Sequence, residues 1–231
     1  ALALPSIIIA TAENQRGNLQ YVERHGAASV ISTDSIETDL PAVLDSLDPT
    51  TLARQSLHGA RLCDGRGINR VLAQTICART LDDGGTITLR PANAGDLARL
   101  LAWQREPAAR AFARNPRIPT SDEHEAWLAR TLVDPNGLLS IVMCDNEPAG
   151  MLRLDRLRPS ERGEAREVSI LVSQAFHRRG IALQALALGH QLVPHATLIG
   201  EVLPGNEASH QLFKNAGFRW HEDVYVMEPC A

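Results

Sequence analysis

The spacing of apolar and polar positions changes character partway along the chain. Up to residue 80 short strands give way to helices. "PSIIIAT" (Pro5 to Thr11) is a β-branched run that predicts a buried strand. "ENQRGNLQYVERHG" predicts a helix stopped by Gly26, and "AASVIS" a second short strand. "IETDLPAVLDSL", "PTTLARQSLHGARLC" and "GINRVLAQTICART" repeat their apolar residues near the helical period and predict three helices. "LDDGG" (Leu81 to Gly85) then breaks the pattern.

Beyond the break, "TITLRPA" alternates as a strand does. "AGDLARLLAWQREP" predicts a helix with Asp96 in its first turn. "SDEHEAWLARTLVDP" predicts another, capped by Ser121 or Asp122 with Glu125 behind it. "LLSIVMCDNEPAGMLRLDRL" predicts two strands joined at Asp145-Asn146, and "REVSILVS" a third. The apolar run after Gly180 predicts a buried helix. "HATLIGEVLP" (strand), "NEASHQLFKNAG" (short helix) and "RWHEDVYVMEP" (one last strand) complete the chain. The order β-α-α-β-β-β-α-β-α-β predicts a mixed α/β domain over residues 86–231, after a leading part over residues 1–80.

Composition narrows the function classes. The 231 residues carry a net charge of -4, which argues against a dedicated nucleic-acid or membrane-surface binder. Cys63, Cys77, Cys144 and Cys230 lack the spacing of a zinc site or a disulfide framework. Reduced thiols, a cytoplasmic location and no metal are expected. "LPSIIIA" is too short to span a bilayer and has no basic residues before it, so neither an anchor nor a signal peptide is expected there. The chain lacks an initiator Met and opens on an apolar strand, so it reads as a piece of a longer protein.

"FHRRGIALQALALG" carries the chemistry. A helix N-terminus leaves about four backbone N–H groups unpaired and bears roughly half a positive charge. Gly180 would let a ligand approach them without a Cβ in the way. Arg178 and Arg179 add charge beside it, and the combination suits a phosphate or pyrophosphate. The stretch is neither a Walker loop nor a dinucleotide fingerprint, since the required glycines and lysine are missing.

Two blocks in order resemble the GNAT superfamily of acyl-CoA N-acetyltransferases. His177-Arg178-Arg179-Gly180-Ile181-Ala182 is similar to its cofactor loop. Val202, Pro204, Asn206, Ser209, Gly217 and Phe218 are similar to its second block. The resemblance covers Thr86 to Pro229. It implies the GNAT fold, a mixed, mostly antiparallel sheet flanked by helices, and acetyl-CoA as co-substrate. It implies that the pyrophosphate rests on the Gly180 loop, that Asn206 and Ser209 also serve the cofactor, and that backbone groups around Leu171 and Val172 meet the pantetheine arm and thioester. Two positions depart from the family. His177 stands where Arg or Gln is usual, and Phe213 where many members carry a tyrosine that protonates the leaving thiolate.

The acceptor amine must lose a proton, so a base is needed. Glu167 is the first candidate, on the strand face it shares with Ser169 and Leu171. Glu201 is the second. His210 is a candidate donor near the thiol. The front segment, with Trp103, Pro107, His124, Trp127 and Leu128, resembles GNAT members that acetylate nucleotide-linked amino sugars. It also resembles the ribosomal-protein N-terminal acetyltransferases. Trp103, His124 and Trp127 are therefore candidate substrate contacts.

Residues 2–78 resemble the C-terminal end of the nucleotide-sugar hydrolase of pseudaminic-acid synthesis, which implies a partial Rossmann-like piece. Glu13-Asn14-Gln15 would be its nucleotide-diphosphate contact and Asp64-Gly65-Arg66-Gly67 its late turn. Without that enzyme's first half no hydrolase activity is expected. A helical appendage covering a sheet edge is the alternative. The combined expectation is acetyl transfer to a nucleotide-linked amino sugar, a small-molecule partner with no nucleic acid or membrane, in a monomer or an oligomer. Two alternatives stand beside it: a protein N-terminal acetyltransferase, and a non-catalytic nucleotide or acyl-CoA binding module.

Overall fold

The structure is a computed structural model that describes residues 4–63, 67, 71, 78–157 and 164–230. Most of the helix expected over "GINRVLAQTICART", and Asp64, Gly65 and Arg66 of the late turn, lie outside the described residues. The chain forms two compact units, Ala1–Gly67 and Ile68–Ala231.

In the first unit, β1 (Ile7–Ala10) and β2 (Ser29–Ser32) pair in parallel from Ile7↔Ser29 to Ala10↔Ser32. Parallel neighbours need a crossover, which a turn at Glu13–Gln15 and helix α1 (Arg16–Arg24) supply. The helix stops where expected, with Gly26 left-handed at φ 64°. Helices α2 (Ile36–Asp45) and α3 (Pro49–Leu62) follow. Asp48 caps α3 by accepting the Thr51 amide at 2.7 Å. Among the described residues of this unit the buried set is small: Ala27, Ala28, Ile31 and Gln55. A unit with so little buried apolar surface has little hydrophobic stabilisation of its own.

The second unit is built on an eight-stranded sheet in the order β3-β4-β5-β6-β7-β8-β10-β9. The strands are β3 (Arg79–Thr80), β4 (Thr86–Pro91), β5 (Gly137–Cys144), β6 (Glu147–Arg156), β7 (Ala165–Val172), β8 (Thr197–Gly200), β9 (Arg219–His221) and β10 (Val224–Met227). All neighbours are antiparallel except β7 and β8. Helices α4 (Leu97–Arg105), α5 (Pro107–Ala111) and α6 (Ser121–Val133) precede β5, while α7 (Ile181–Leu192) and α8 (Glu207–Asn215) flank β8.

The sheet buries both faces. On one, Leu152, Leu154 and Val168 pack with Ile181, Ala185 and Leu188 of α7. On the other, Leu139, Ile141 and Met151 pack with Leu100, Trp103 and Leu128 of α4 and α6. Period-two alternation produces this two-sided burial. Among the described residues no helix is long and apolar enough to cross a membrane. Cys63, Cys144 and Cys230 are free thiols.

Several local expectations need correction. Arg79 and Thr80 belong to the second unit's sheet, where they pair with Ile87 and Thr86. Helix α6 is capped by Thr120 rather than Ser121 or Asp122. Thr120 Oγ1 accepts the Glu123 amide at 3.3 Å, and Glu123 returns the bond to the Thr120 amide at 2.9 Å. The Arg117 guanidinium forks onto Glu123 and, with the Thr120 amide, pulls its carboxyl down to about 2. The single last strand is a hairpin that turns at Glu222 and Asp223, both left-handed at φ 46° and 67°. Strand β8 stops at Gly200, short of Pro204.

Asp96 anchors the start of α4. It is 2% exposed, bonds the Asn93 amide at 3.0 Å and pairs with Arg90 at 2.6 Å and Arg99 at 3.0 Å. Burial pushes its carboxyl up, but Arg90, the Asn93 amide and Arg99 outweigh it and leave it below its ordinary 3.8. Its contribution is therefore complete above that unfolded value and is lost as pH falls through the lower folded one. Asp96→Asn should destabilise this unit by about 2–3 kcal/mol at neutral pH in denaturant titrations. That deficit should shrink steadily below about pH 4.

Candidate active site

Strands β7 and β8 stay together for three residue pairs only: Ala165↔Thr197, Arg166↔Leu198 and Glu167↔Ile199. Among the described residues, β7 has no strand partner on that side from Val168 onward. The Thr197 amide donates to the Glu164 carbonyl and the Leu157 amide to the Ala165 carbonyl, both at 2.9 Å. Even-numbered residues of β7 thus turn their backbone groups toward β8 and odd-numbered ones toward β6. Beyond the fork, parity turns the backbone groups of Ile170 and the amide of Val172 toward the side that β8 has left, while the Val172 carbonyl meets the His177 ring. Leu171 was expected to offer such groups, but its backbone pairs with Met151 on β6, and it contributes a side chain to the lining instead. Gly150 permits the tight β6–β7 approach here, since a Cβ would lie 2.2 Å from the Leu171 carbonyl oxygen.

A cleft of about 550 Å³ opens at this fork. Its floor includes Met151, Ser169, Ile170 and Leu171, and its walls include α6 through His124 and Trp127 and the 112–119 loop. Glu167 and Glu201 reach it from opposite sides of the fork, where the Arg114 guanidinium bonds both carboxylates. Burial works against the charge on Arg114, but bonds and charges from Glu167 and Glu201 more than offset it and raise its pKa. The sequence reading missed Arg114. The pairing spans 53 and 87 residues, and no local pattern announces it.

Glu106 was missed as well. Its carboxylate accepts the Ser173 hydroxyl and the Gln174 amide, each at 3.0 Å, and pins the end of β7. Arg110 holds the loop by donating to Gln104 Oε1 and to the carbonyls of Asn115 and Arg117. Burial lowers its pKa.

The candidate substrate contacts separate. Trp127 and His124 line the cleft, ring centroids 4.9 Å apart, with Arg153 5.8 Å over the Trp127 ring. Trp103 does not: it is buried in the core against Leu100 and Leu128. On α4 its helical phase points it into the sheet.

The Gly180 loop leaves backbone amides uncapped at the start of α7. Gly180 is left-handed at φ 77° and α7 has no side-chain cap, so the amides of its first turn, including Ile181 and Ala182, keep no capping partner. Arg178 is exposed, itself left-handed at φ 63°, and in no ion pair among the described residues. Arg179 differs from expectation. Its guanidinium bonds Asp83 at 2.8 Å and lies 3.8 Å from Asp145, so it ties two turns together rather than facing the loop. A ring nitrogen of His177 lies 2.9 Å from the Val172 carbonyl and closes the turn. Asn206 caps α8 by accepting the Ser209 amide at 3.1 Å, and both residues line the cleft. Phe213 is a core residue stacked on Tyr225, whose hydroxyl lies 3.0 Å from His210 Nδ1. In the first unit, Glu13 pairs with Arg16 and Gln15 Oε1 accepts the Thr11 amide. Asn14 borders a cavity within that unit.

The model of the acetyltransferase (GNAT) domain family matches residues 86–219. The chain belongs to the GNAT acetyltransferase family. Membership makes it an N-acetyltransferase with acetyl-CoA as co-substrate. The structural comparisons agree on the fold. RimL, a ribosomal alpha-N-protein acetyltransferase solved with coenzyme A, is 15% identical at a TM-score of 0.55, covering 67% of this chain and 97% of its own. An aminoglycoside acetyltransferase solved with coenzyme A is 19% identical at 0.53, covering 62% and 94%. Spermidine N-acetyltransferase from Vibrio cholerae, solved with coenzyme A and spermine, is 19% identical at 0.52, covering 61% and 93%. No curated protein matches the chain by sequence search.

For a GNAT cofactor loop the two arginines should part company. Arg178→Ala should weaken CoA binding about 3- to 10-fold in calorimetry, less so at high salt. Arg179→Ala should leave CoA affinity within about twofold and lower the melting temperature only slightly.

Proposed function

We propose that this GNAT enzyme acetylates the amino group of a nucleotide-linked amino sugar. The observation that carries the reading is the convergence of Glu167 and Glu201 on one cation across the β7–β8 fork. Two carboxylates there suit an acceptor amine that arrives as an ammonium ion. One of them, Glu167, takes its proton so that the free amine can attack the thioester carbon. The nitrogen then gives its second proton to solvent as the C–S bond breaks, and the departing thiolate is protonated by solvent, since the buried Phe213 has no proton to give. The N–H groups of Ile170 and Val172 face the side where the carbonyl oxygen gains charge. Coenzyme A lies with its diphosphate on the amides of Gly180, Ile181 and Ala182 beside Arg178.

Three features support the finer assignment. The cleft has the size of small-molecule sites rather than of an extended peptide groove. Arg110, Arg114 and Arg153 line it together with Trp127, a mixture suited to a phosphorylated, ring-bearing acceptor. The β1-α1-β2 crossover of the first unit is of the kind a nucleotide-sugar enzyme's α/β half contains.

Thiol release from acetyl-CoA should be measured with a UDP-linked 4-amino sugar, the free amino sugar and a ribosomal N-terminal peptide. The nucleotide-linked sugar should exceed the peptide in kcat/KM by about 100-fold or more. Preference for the peptide would overturn the sugar reading, and tight CoA binding without turnover would favour a binding module. Glu167→Gln should lower kcat by about 100-fold or more. An unchanged rate between about pH 6 and 9 would remove Glu167 as the base.

A further inference from the structure

One nitrogen of the chain itself lies between the two carboxylates at the fork. Arg114 Nη2 donates both to Glu167 Oε1 and to Glu201 Oε2. A guanidinium often forks onto one carboxylate with two parallel bonds. Arg117 does so with Glu123. Arg114 instead sends a single nitrogen to two carboxylates, which is how a primary ammonium would meet them. All three side chains line the cleft and none is sealed. Arg114 is 57% exposed, Glu201 46% and Glu167 25%.

The loop that carries Arg114 is held independently of that contact. Arg110 donates to the carbonyls of Asn115 and Arg117. The Ala113 amide donates to the Arg110 carbonyl at 3.2 Å, and the Arg117 amide to Asn115 Oδ1 at 3.0 Å. The Arg114 side chain can therefore leave the carboxylates while the loop backbone stays. Exposed ion pairs are weak, so leaving costs little. Two carboxylates across the fork would repel without a cation between them, which gives Arg114 a reason to be there. It also occupies ground that the reaction needs. A base must lie within hydrogen-bond reach of the nitrogen it deprotonates, and an amine seeking both carboxylates finds that place taken.

We propose that Arg114 is a positioning residue that marks the acceptor-amine subsite. Its Nη2 holds the place between Glu167 and Glu201 until the acceptor's ammonium takes it and the guanidinium swings aside. The acceptor class is a primary amine that arrives charged and meets both carboxylates with one nitrogen. This inference rests on the reading of Glu167 and Glu201 as the acceptor's partners.

The test makes Arg114→Ala and Arg114→Met, the second keeping most of the stem. Acceptor KM is read with the free amino sugar or the ribosomal N-terminal peptide, whichever the wild type turns over better. Neither carries a phosphate with which the released guanidinium could pair. In both variants acceptor KM should fall about 3- to 10-fold, because the competing occupant is gone. KM for acetyl-CoA should not change. Methylguanidinium should inhibit both variants competitively against the acceptor, at concentrations that leave the wild type unaffected. Tetramethylammonium, a cation with no N–H to donate, should not. An acceptor KM that rises or stays within about twofold of the wild type overturns the proposal. So does methylguanidinium that restores activity or has no effect, or equal inhibition by tetramethylammonium. If the wild type prefers the peptide to the UDP-linked sugar, the sugar reading fails while the Arg114 arms are read on the peptide. If it turns over no amine, both fail.

Discussion

Strands β7 and β8 are hydrogen-bonded through Glu167↔Ile199 and then part, and the rest of the site depends on that separation. A parallel pair that continued would consume the backbone groups of Ile170 and the Val172 amide and close the cleft. What keeps the strands apart is covalent and local. β8 ends at Gly200, and the chain then turns through Pro204 and left-handed Gly205 to the Asn206 cap of α8. β7 runs on to Val172 because β6 pairs with it along its whole length and Glu106 pins the residues that follow. Unpaired backbone is costly where no water or ligand reaches it, and here it borders an open cleft.

The same fork arranges charge. One face of β7 carries Glu167, Ser169 and Leu171 toward α4 and α6, while Val168, Ile170 and Val172 pack toward α7. A carboxylate can therefore stand beside the opening without entering the core. Arg114 bridges it to Glu201, so the two acidic groups share a cation of the protein's own. α7 begins at an uncapped, left-handed glycine, the end proposed to take the coenzyme A diphosphate.

Much of this was legible in the sequence because local chemistry wrote it. The β5–β6 turn at Asp145-Asn146 and the stop at Gly26 follow from residues that tolerate positive φ. The apolar run after Gly180 could only be a buried helix. Parity along β7 placed Glu167 and Leu171 on one face, though the same parity should have moved the backbone role from Leu171 to Ile170. The two-strand ending was missed because Glu222 is uncommon in a left-handed turn. Ser121 and Asp122 obscured Thr120 because each is a good cap, and only the return bond from Glu123 decides among them. Trp103 and Trp127 looked alike until helix phase put one in the core and the other at the cleft. Arg179 and Arg114 were illegible for a common reason: their carboxylate partners lie far along the chain and meet them only through the sheet.

Amide hydrogen exchange with and without coenzyme A tests the central claim most directly. Binding should slow exchange at Ile170 and Val172 beyond the fork and at Gly180, Ile181 and Ala182 in the first turn of α7. Leu171, already paired with β6, should change little. Coenzyme A that binds while the Ile170 and Val172 amides exchange as before would contradict the account, because the gap between the strands would not be where the cofactor lies.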